Sequence, residues 1–261
     1  MASPAQPPTL LQPFMTNLRN PVTRLRRNCQ EIGVVATLTT AVDQVLRAAS
    51  GGRARLVSYA LVAQPIDQPS SVPLRPSANS RIVEVGPSDP LVQSMPRPKH
   101  VLDCRFESRS ECLAATVRGE FAGMLWIARE RYDEDEVRCL YVLCEPARSV
   151  WDYDVYVEPA YRAGRTLGKL WQAANLRLAA QGVQWSFSRI ALANASSLAS
   201  HKRLGARPVA YAFFWVIGPL QIAVLSLMPF IHVGFTTKQR PRLRLRLPAP
   251  QAGPAASRST R

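Results

Sequence analysis

The chain has 261 residues, 47% hydrophobic and 20% charged, with a formal net charge of +15. This balance excludes a chain too polar to bury a core and fits one domain, alone or with an appended lobe. Five cysteines (29, 104, 112, 139 and 144) form no Cys-x-x-Cys pair and no metal-like spacing with the three histidines. We therefore expect no metal site, with reduced, buried thiols in a cytoplasmic protein.

The charge is concentrated at the ends. Residues 1–30 carry four Arg and no acid, and residues 238–261 carry one Lys and six Arg with no acid. Removing those eleven charges from +15 leaves +4 for residues 31–237. This suggests a basic, Pro-rich N-terminal tail (1–30), a folded body (31–237) and a basic C-terminal tail (238–261). Such tails suit a solvated skirt or contacts with nucleic acid, an anionic membrane or an acidic acyl-carrier protein. The start, Met1-Ala-Ser-Pro-Ala-Gln-Pro-Pro8, shows no basic segment followed by an apolar one, so no signal peptide is expected.

In chain order, Val34–Ala49 is predicted as an amphipathic helix. Its apolar residues Val35, Leu38, Ala41, Val42, Val45 and Leu46 recur at three- and four-residue spacings, and Gly51-Gly52 ends it. Arg55–Ala63 reads as a strand, and the Pro-rich stretch 65–100 as a long loop or flap. Cys112–Val117 and Phe121–Ala128 form a hairpin across Arg118-Gly119-Glu120, followed by an acidic loop, Arg131–Glu136, and a strand at Val137–Cys144. Next comes a strand at Val150–Val157, a turn rich in Arg and Gly (Tyr161–Gly168), a helix to Gln181 and a strand near Val183–Ile190. A second helix opens at Asn194. Pro208–Thr237 has no Lys, Arg, Asp or Glu and is long enough to span a bilayer. Gly218-Pro219 and Pro229 divide it, however, so buried strands at Val209–Ile217 and Gln221–Met228 fit better than one helix. The alternation in Pro241-Arg-Leu-Arg-Leu-Arg-Leu247 suits a sheet edge, a membrane surface or RNA equally.

The order strand, phosphate-sized turn, helix, strand, helix resembles the GNAT superfamily of N-acetyltransferases. The resemblance rests on Val157-x-Pro159-x-x-Arg162 running into Tyr161-Arg-Ala-Gly-Arg-Thr-Leu-Gly168, and on Asn194 with Ser197, His201 and Leu204-Gly205 downstream. It covers residues 104–217, with the tight motifs in 150–207, and looks like a bacterial branch rather than a histone or antibiotic acetylase. The family's phosphate loop, Gln/Arg-x-x-Gly-x-Gly/Ala, is not matched strictly. Counting from Arg162 puts Arg165 and Leu167 at the small positions, and counting from Ala163 recovers only Gly168.

The resemblance implies a mixed, mainly antiparallel sheet flanked by helices, with a strand–turn–helix site for acetyl-CoA or another acyl-CoA. Arg162, Gly164, Arg165, Thr166, Gly168 and Lys169 would meet the pyrophosphate, where convergent N–H groups and a helix dipole favour anions. Backbone amides near Val155 and Val157 would hold the pantetheine and polarise the thioester. Asn194 and Ser197 would flank the pantetheine arm. His201 stands where the family often has a Tyr that protonates the departing thiolate, and an imidazolium would serve there. For the general base, alternation puts Asp152, Asp154 and Tyr156 on one face, with Asp154 preferred; Glu134 and Glu136 are alternatives.

The expected activity is acyl transfer, chiefly acetyl, from acyl-CoA to a small-molecule amine. Long-chain transfer from an acyl-carrier protein, with residues 209–231 widening the acyl pocket, is the alternative enzyme. A non-catalytic acyl-CoA, nucleic-acid or membrane-binding module is the alternative of another class. A homodimer through the C-terminal strands and membrane association of a cytoplasmic protein are further expectations.

Overall fold

A computed structural model describes residues 33–66 and 79–249. The strands are β1 (Ala54–Pro65), β2 (Ser80–Val85), β3 (Glu111–Val117), β4 (Glu120–Ala128), β5 (Arg131–Asp133), β6 (Leu140–Leu143), β7 (Ser149–Val157), β8 (Trp185–Ala191), β9 (Arg207–Ile217), β10 (Leu220–Leu225), β11 (Ile231–Gly234) and β12 (Arg242–Leu245). The helices are α1 (Val34–Ser50), α2 (Lys99–Glu107), α3 (Thr166–Ala180) and α4 (Ala195–Arg203). Nine strands form one sheet in the order β11-β10-β9-β1-β8-β7-β4-β3-β2. Every neighbouring pair in it is antiparallel except β7–β8. The expected mixed, mainly antiparallel sheet flanked by helices is what the chain forms.

The local chemistry explains the connections. Val117 pairs with Glu120, so Arg118-Gly119 is a two-residue hairpin loop, and both residues have positive φ (55° and 87°). Such a turn matches the twist of its strands. Helices α1, α3 and α4 cover one face of the sheet. Under α3 lie Leu125, Ile127 and Val150, packed on Leu170, Trp171 and Leu178. Under α1 and α4 lie Ala60, Val62 and Ile190. The opposite face carries α2 and a second sheet, β12-β6-β5, over a core that includes Trp126, Trp151, Phe187 and Phe214. Tyr141 stacks on Trp151 with ring centroids 4.4 Å apart.

Five expectations are corrected. Residues 65–100 are not all loop: β2 closes one edge of the large sheet, and Lys99 begins α2. The strand predicted at Val137–Cys144 is the shorter β6, and it lies in the second sheet. The uncharged stretch 208–237 forms three strands, β9 to β11, rather than two. Among the described residues no helix is long and apolar enough to cross a membrane. Residues 242–245, assigned from charge to the C-terminal tail, form β12 and pair in parallel with β6. Leu243 and Leu245 are buried while Arg242 and Arg244 stay exposed, so the Arg–Leu alternation is that of a half-buried strand. The thiols, finally, are not uniformly buried: Cys112 and Cys139 are, whereas Cys104 is exposed. The N-terminal tail 1–30 and residues 250–261 lie outside the described residues.

The greatest departure is in α1. Its apolar stripe faces outward: Val35, Leu38, Val42 and Val45 are exposed. The small and polar side turns to the sheet, with Ala36 and Thr37 buried. Thr37 and Thr40 donate their hydroxyls to carbonyls one turn back, and Asp43 accepts from the Leu56 N–H at 2.8 Å. The inward hydroxyls and carboxylate therefore have partners, which lets a polar helix face lie against β1.

Candidate functional site

β7 and β8 run in parallel but pair only from Ser149 to Trp151, opposite Trp185 to Phe187. Beyond that point they separate. The cause lies in β7. Met124 of β4 pairs with Tyr156 and Trp126 with Tyr153, so β7 carries one residue more than β4 between these pairs. Asp154 sits in this bulge with φ 48°, a conformation that Asp tolerates better than most residues. A bulge bends its strand, and the part of β7 after it leaves β8. The β8-facing edge of residues 152–157 and the β7-facing edge of residues 188–191 then have no strand partner among the described residues. They form a cleft whose two walls offer backbone donors and acceptors.

Gly123 keeps the other edge of β7 in place. A Cβ there would stand 2.6 Å from the Tyr156 carbonyl oxygen and 3.3 Å from Leu170 Cδ1, so only glycine permits the approach of β4 to β7 beneath α3. No sequence motif marks this glycine among its strand neighbours.

At the end of β7 lies a pocket of about 250 Å³ lined by Val155, Tyr156, Val157, Arg162 and Leu167. A single 3₁₀ turn, Pro159–Tyr161, leads from β7 into it, and the Gly164 N–H closes onto the Tyr161 carbonyl at 3.2 Å. Helix α3 begins at Thr166 with Arg165 at its N-cap, no side-chain cap and no acid in its first turn. Uncapped first-turn N–H groups and the positive end of the helix dipole make an anion-binding geometry. Arg162, Gly164, Arg165 and Gly168 are exposed, Lys169 is half-buried and Thr166 is buried. Arg162 donates its Nε–H to the Val157 carbonyl at 2.9 Å, which fixes its guanidinium at the pocket edge. Of the predicted residues, Val155, Val157 and Arg162 line this one pocket, and Gly164 to Lys169 follow in the turn and the first turn of α3.

The other predicted residues lie elsewhere. Asn194 caps α4: its side-chain oxygen accepts from the Ser197 N–H at 3.1 Å and from the Ser196 hydroxyl at 3.0 Å. Asn194 and Ser197 are therefore engaged with each other as a helix cap. His201 packs edge-on against Trp171 of α3, centroids 5.8 Å apart, with Nδ1 buried and without a partner. Burial pushes its pKa below the ordinary value, which favours the neutral ring over the imidazolium expected from sequence.

The carboxylates also depart from simple alternation. The bulge inverts the faces after Tyr153. Asp154 turns to the α2 side, where Arg97 and Arg105 both donate to its carboxylate, while Val155 and Val157 turn to the α3 side. Asp154 thus anchors a part-buried ion cluster, in place of the free base preferred from sequence. Glu134, one of the alternative bases, has a fully enclosed side chain paired with Arg189 of β8. Burial pushes its carboxyl up, and the guanidinium opposes that. Glu136 accepts from the Tyr59 hydroxyl.

Asp152 differs from all of these. It is the first residue of β7 past the β8 pairing, is 3% exposed, and has the hydroxyl of Ser186 2.5 Å from its carboxylate. The causes of its shift include no cation, and burial pushes its pKa up to about 7, with the hydroxyls of Ser186 and Ser188 opposing. Buried atoms without partners belong to residues of the same face of the sheet and of α3: the Gln64 side-chain oxygen and Asn175 Oδ1.

No protein-family model matches the chain, and no curated protein matches it in sequence. Among solved structures, a functionally unknown conserved protein from Staphylococcus epidermidis is 9% identical with a TM-score of 0.45, over 67% of each chain. A tandem GNAT protein of the clavulanic acid biosynthesis pathway is 19% identical with a TM-score of 0.43, over 66% of this chain and 57% of its own length. A GNAT-family acetyltransferase from Elizabethkingia anophelis with acetyl-CoA bound is 14% identical with a TM-score of 0.36, over 49% of this chain and 75% of that one.

Proposed function

We propose that the protein is an N-acyltransferase that moves an acyl group, acetyl first among the candidates, from acyl-CoA to an amine by direct attack. The observation that carries this reading is the separation of β7 from β8 after Trp151 and Phe187, with an uncapped, acid-free helix N-terminus at the mouth of the opening. A ligand suited to it has an anionic end and an extended chain bearing amides, which is the chemistry of a phosphopantetheine thioester. Arg162, Arg165 and Lys169 and the first-turn N–H groups of α3 would take the pyrophosphate. The unpaired edges of β7 near Val155 and Val157 would take the amide chain and donate to the acyl carbonyl.

In the reaction the amine nitrogen bonds to the thioester carbonyl carbon, the C–S bond breaks, the nitrogen loses a proton and the thiolate gains one. We assign the proton-accepting role to Asp152 with Ser186 and Ser188, at the apex of the opening, in place of Asp154. A carboxyl group titrating near neutrality suits that exchange.

We favour acetyl over a long acyl chain. β1 stands between β8 and the strands formed by residues 209–231, so those residues do not border the cleft. A thiol-release assay with acetyl-CoA and a long-chain acyl-CoA, across amino acids, amino sugars and polyamines, tests the reading. Turnover with acetyl-CoA and at least one amine supports it. Release of no thiol by any pair, with acyl-CoA still bound, moves the chain to the non-catalytic class.

A further inference from the structure

The same face of the large sheet that carries α1 continues across β9, β10 and β11 with no helix of the described residues packed on it. Opposite Ala60 of β1 stands Tyr211, and the cross-strand rows run on through Phe213 to Val224 to Ile231, and through Trp215 to Ile222 to Val233. Tyr211, Val224, Ile231 and Val233 are exposed, with Ile231 68% accessible. The turns at either end of β11 add exposed Met228, Phe230 and Phe235. Beside these strands stands α1, with its apolar stripe turned outward and its polar side turned in. Soluble monomers rarely expose contiguous apolar patches beyond roughly a few hundred Å², and larger ones mark interaction sites. An amphipathic helix mounted with its apolar side outward repeats the same message from an independent element.

Charge selects the occupant. Among the described residues of α1, α4, β9, β10, β11 and the turns that join them, Asp43 is the sole acid, and it faces inward to the Leu56 N–H and Arg47. Exposed cations stand around the apolar area: Arg53 after α1, Lys202 and Arg203 on α4, and Lys238 after β11. A second copy would bring like charges together in a chain already at +15. A bilayer with anionic headgroups complements both the apolar centre and the cationic rim, since each Lys or Arg near such a surface adds to attraction.

We propose that the face formed by the outward stripe of α1 and by β9–β11 is a docking surface for an anionic lipid bilayer. The test is flotation of the full chain with vesicles of phosphatidylcholine alone and of phosphatidylcholine with phosphatidylglycerol. Three variants accompany it: Leu38→Glu with Val45→Glu, Ile231→Glu with Val233→Glu, and Lys202→Glu with Lys238→Glu. All six positions are outside the core, and thermal melts followed by circular dichroism verify that each variant folds. The expected result is binding to the mixed vesicles only, reduced about tenfold or more by each double variant. Failure of the unaltered chain to bind mixed vesicles overturns the proposal. Binding to neutral vesicles as strong as to mixed ones, or binding unchanged in both apolar-face variants, overturns it as well. A dimer in light scattering that becomes monomeric in the two apolar-face variants, without lipid, would identify a second copy as the occupant and also overturn it.

Discussion

The two strand–helix units of the core, β7 with α3 and β8 with α4, share a layout and differ at the helix start. At α4 the chain satisfies its own first turn, because Asn194 lends a side-chain oxygen to the Ser197 N–H. At α3 no side chain does so, and Arg165 occupies the N-cap. An end that is already capped serves folding, whereas an exposed end without cap or acid is left for an anion. The same contrast holds along the strands: β8 pairs with β1 over seven residues without a shift of register, while β7 carries the bulge that opens the cleft.

This contrast can be broken at its base. Asp154→Ala leaves Arg97 and Arg105 without their shared carboxylate at the bulge. Both guanidiniums are largely enclosed, so we expect a loss of about 3 kcal/mol in denaturant unfolding. A change within experimental error would show that the bulge does not depend on the cluster. Next in size, Arg162→Glu puts a carboxylate at the mouth of the pocket. We expect acyl-CoA affinity to fall about a hundredfold, close to 2.7 kcal/mol, with the melting temperature unmoved. Smaller again, Asn194→Ala removes the α4 cap and costs about 1 kcal/mol of stability, while acyl-CoA affinity stays within twofold. Equal losses of affinity in the last two variants would erase the distinction between the two helix starts.

A fourth expectation concerns pH. Asp152 holds its proton to about pH 7 in the folded chain and releases it near the ordinary aspartate value when unfolded. Between these values the folded state binds more protons, so this group's contribution to stability declines as pH rises towards 7 and levels off above it. Asp152→Asn should flatten that decline. It should also remove the rise in kcat/KM through pH 7 that a proton acceptor produces. An unchanged activity profile would remove Asp152 from the chemistry.

Much of this architecture was legible in the sequence. The hairpin at Arg118-Gly119, the turn from Pro159 to Gly168 and the cap at Asn194 are written in local residue types whose backbone preferences act over a few positions. The facing of β7 was not legible, because one inserted residue inverts every later side chain and no local pattern marks Asp154 as the bulge. The same step parts Asp152 from Asp154, which simple alternation puts on one face. Helix α1 misled differently: periodicity reveals an apolar stripe but not the side on which the partner lies. β12 was obscured by composition, since three arginines in Arg242-Leu-Arg-Leu-Arg246 outweighed the two leucines that the structure buries.

The most direct test is a calorimetric titration of the full chain with acetyl-CoA, run in parallel on Arg162→Glu and Asn194→Ala. We expect saturable one-to-one binding that Arg162→Glu weakens about a hundredfold and Asn194→Ala retains within about twofold. Absence of binding in the unaltered chain, or binding indifferent to Arg162, would contradict the assignment of the α3 N-terminus and the β7–β8 opening as an acyl-CoA site.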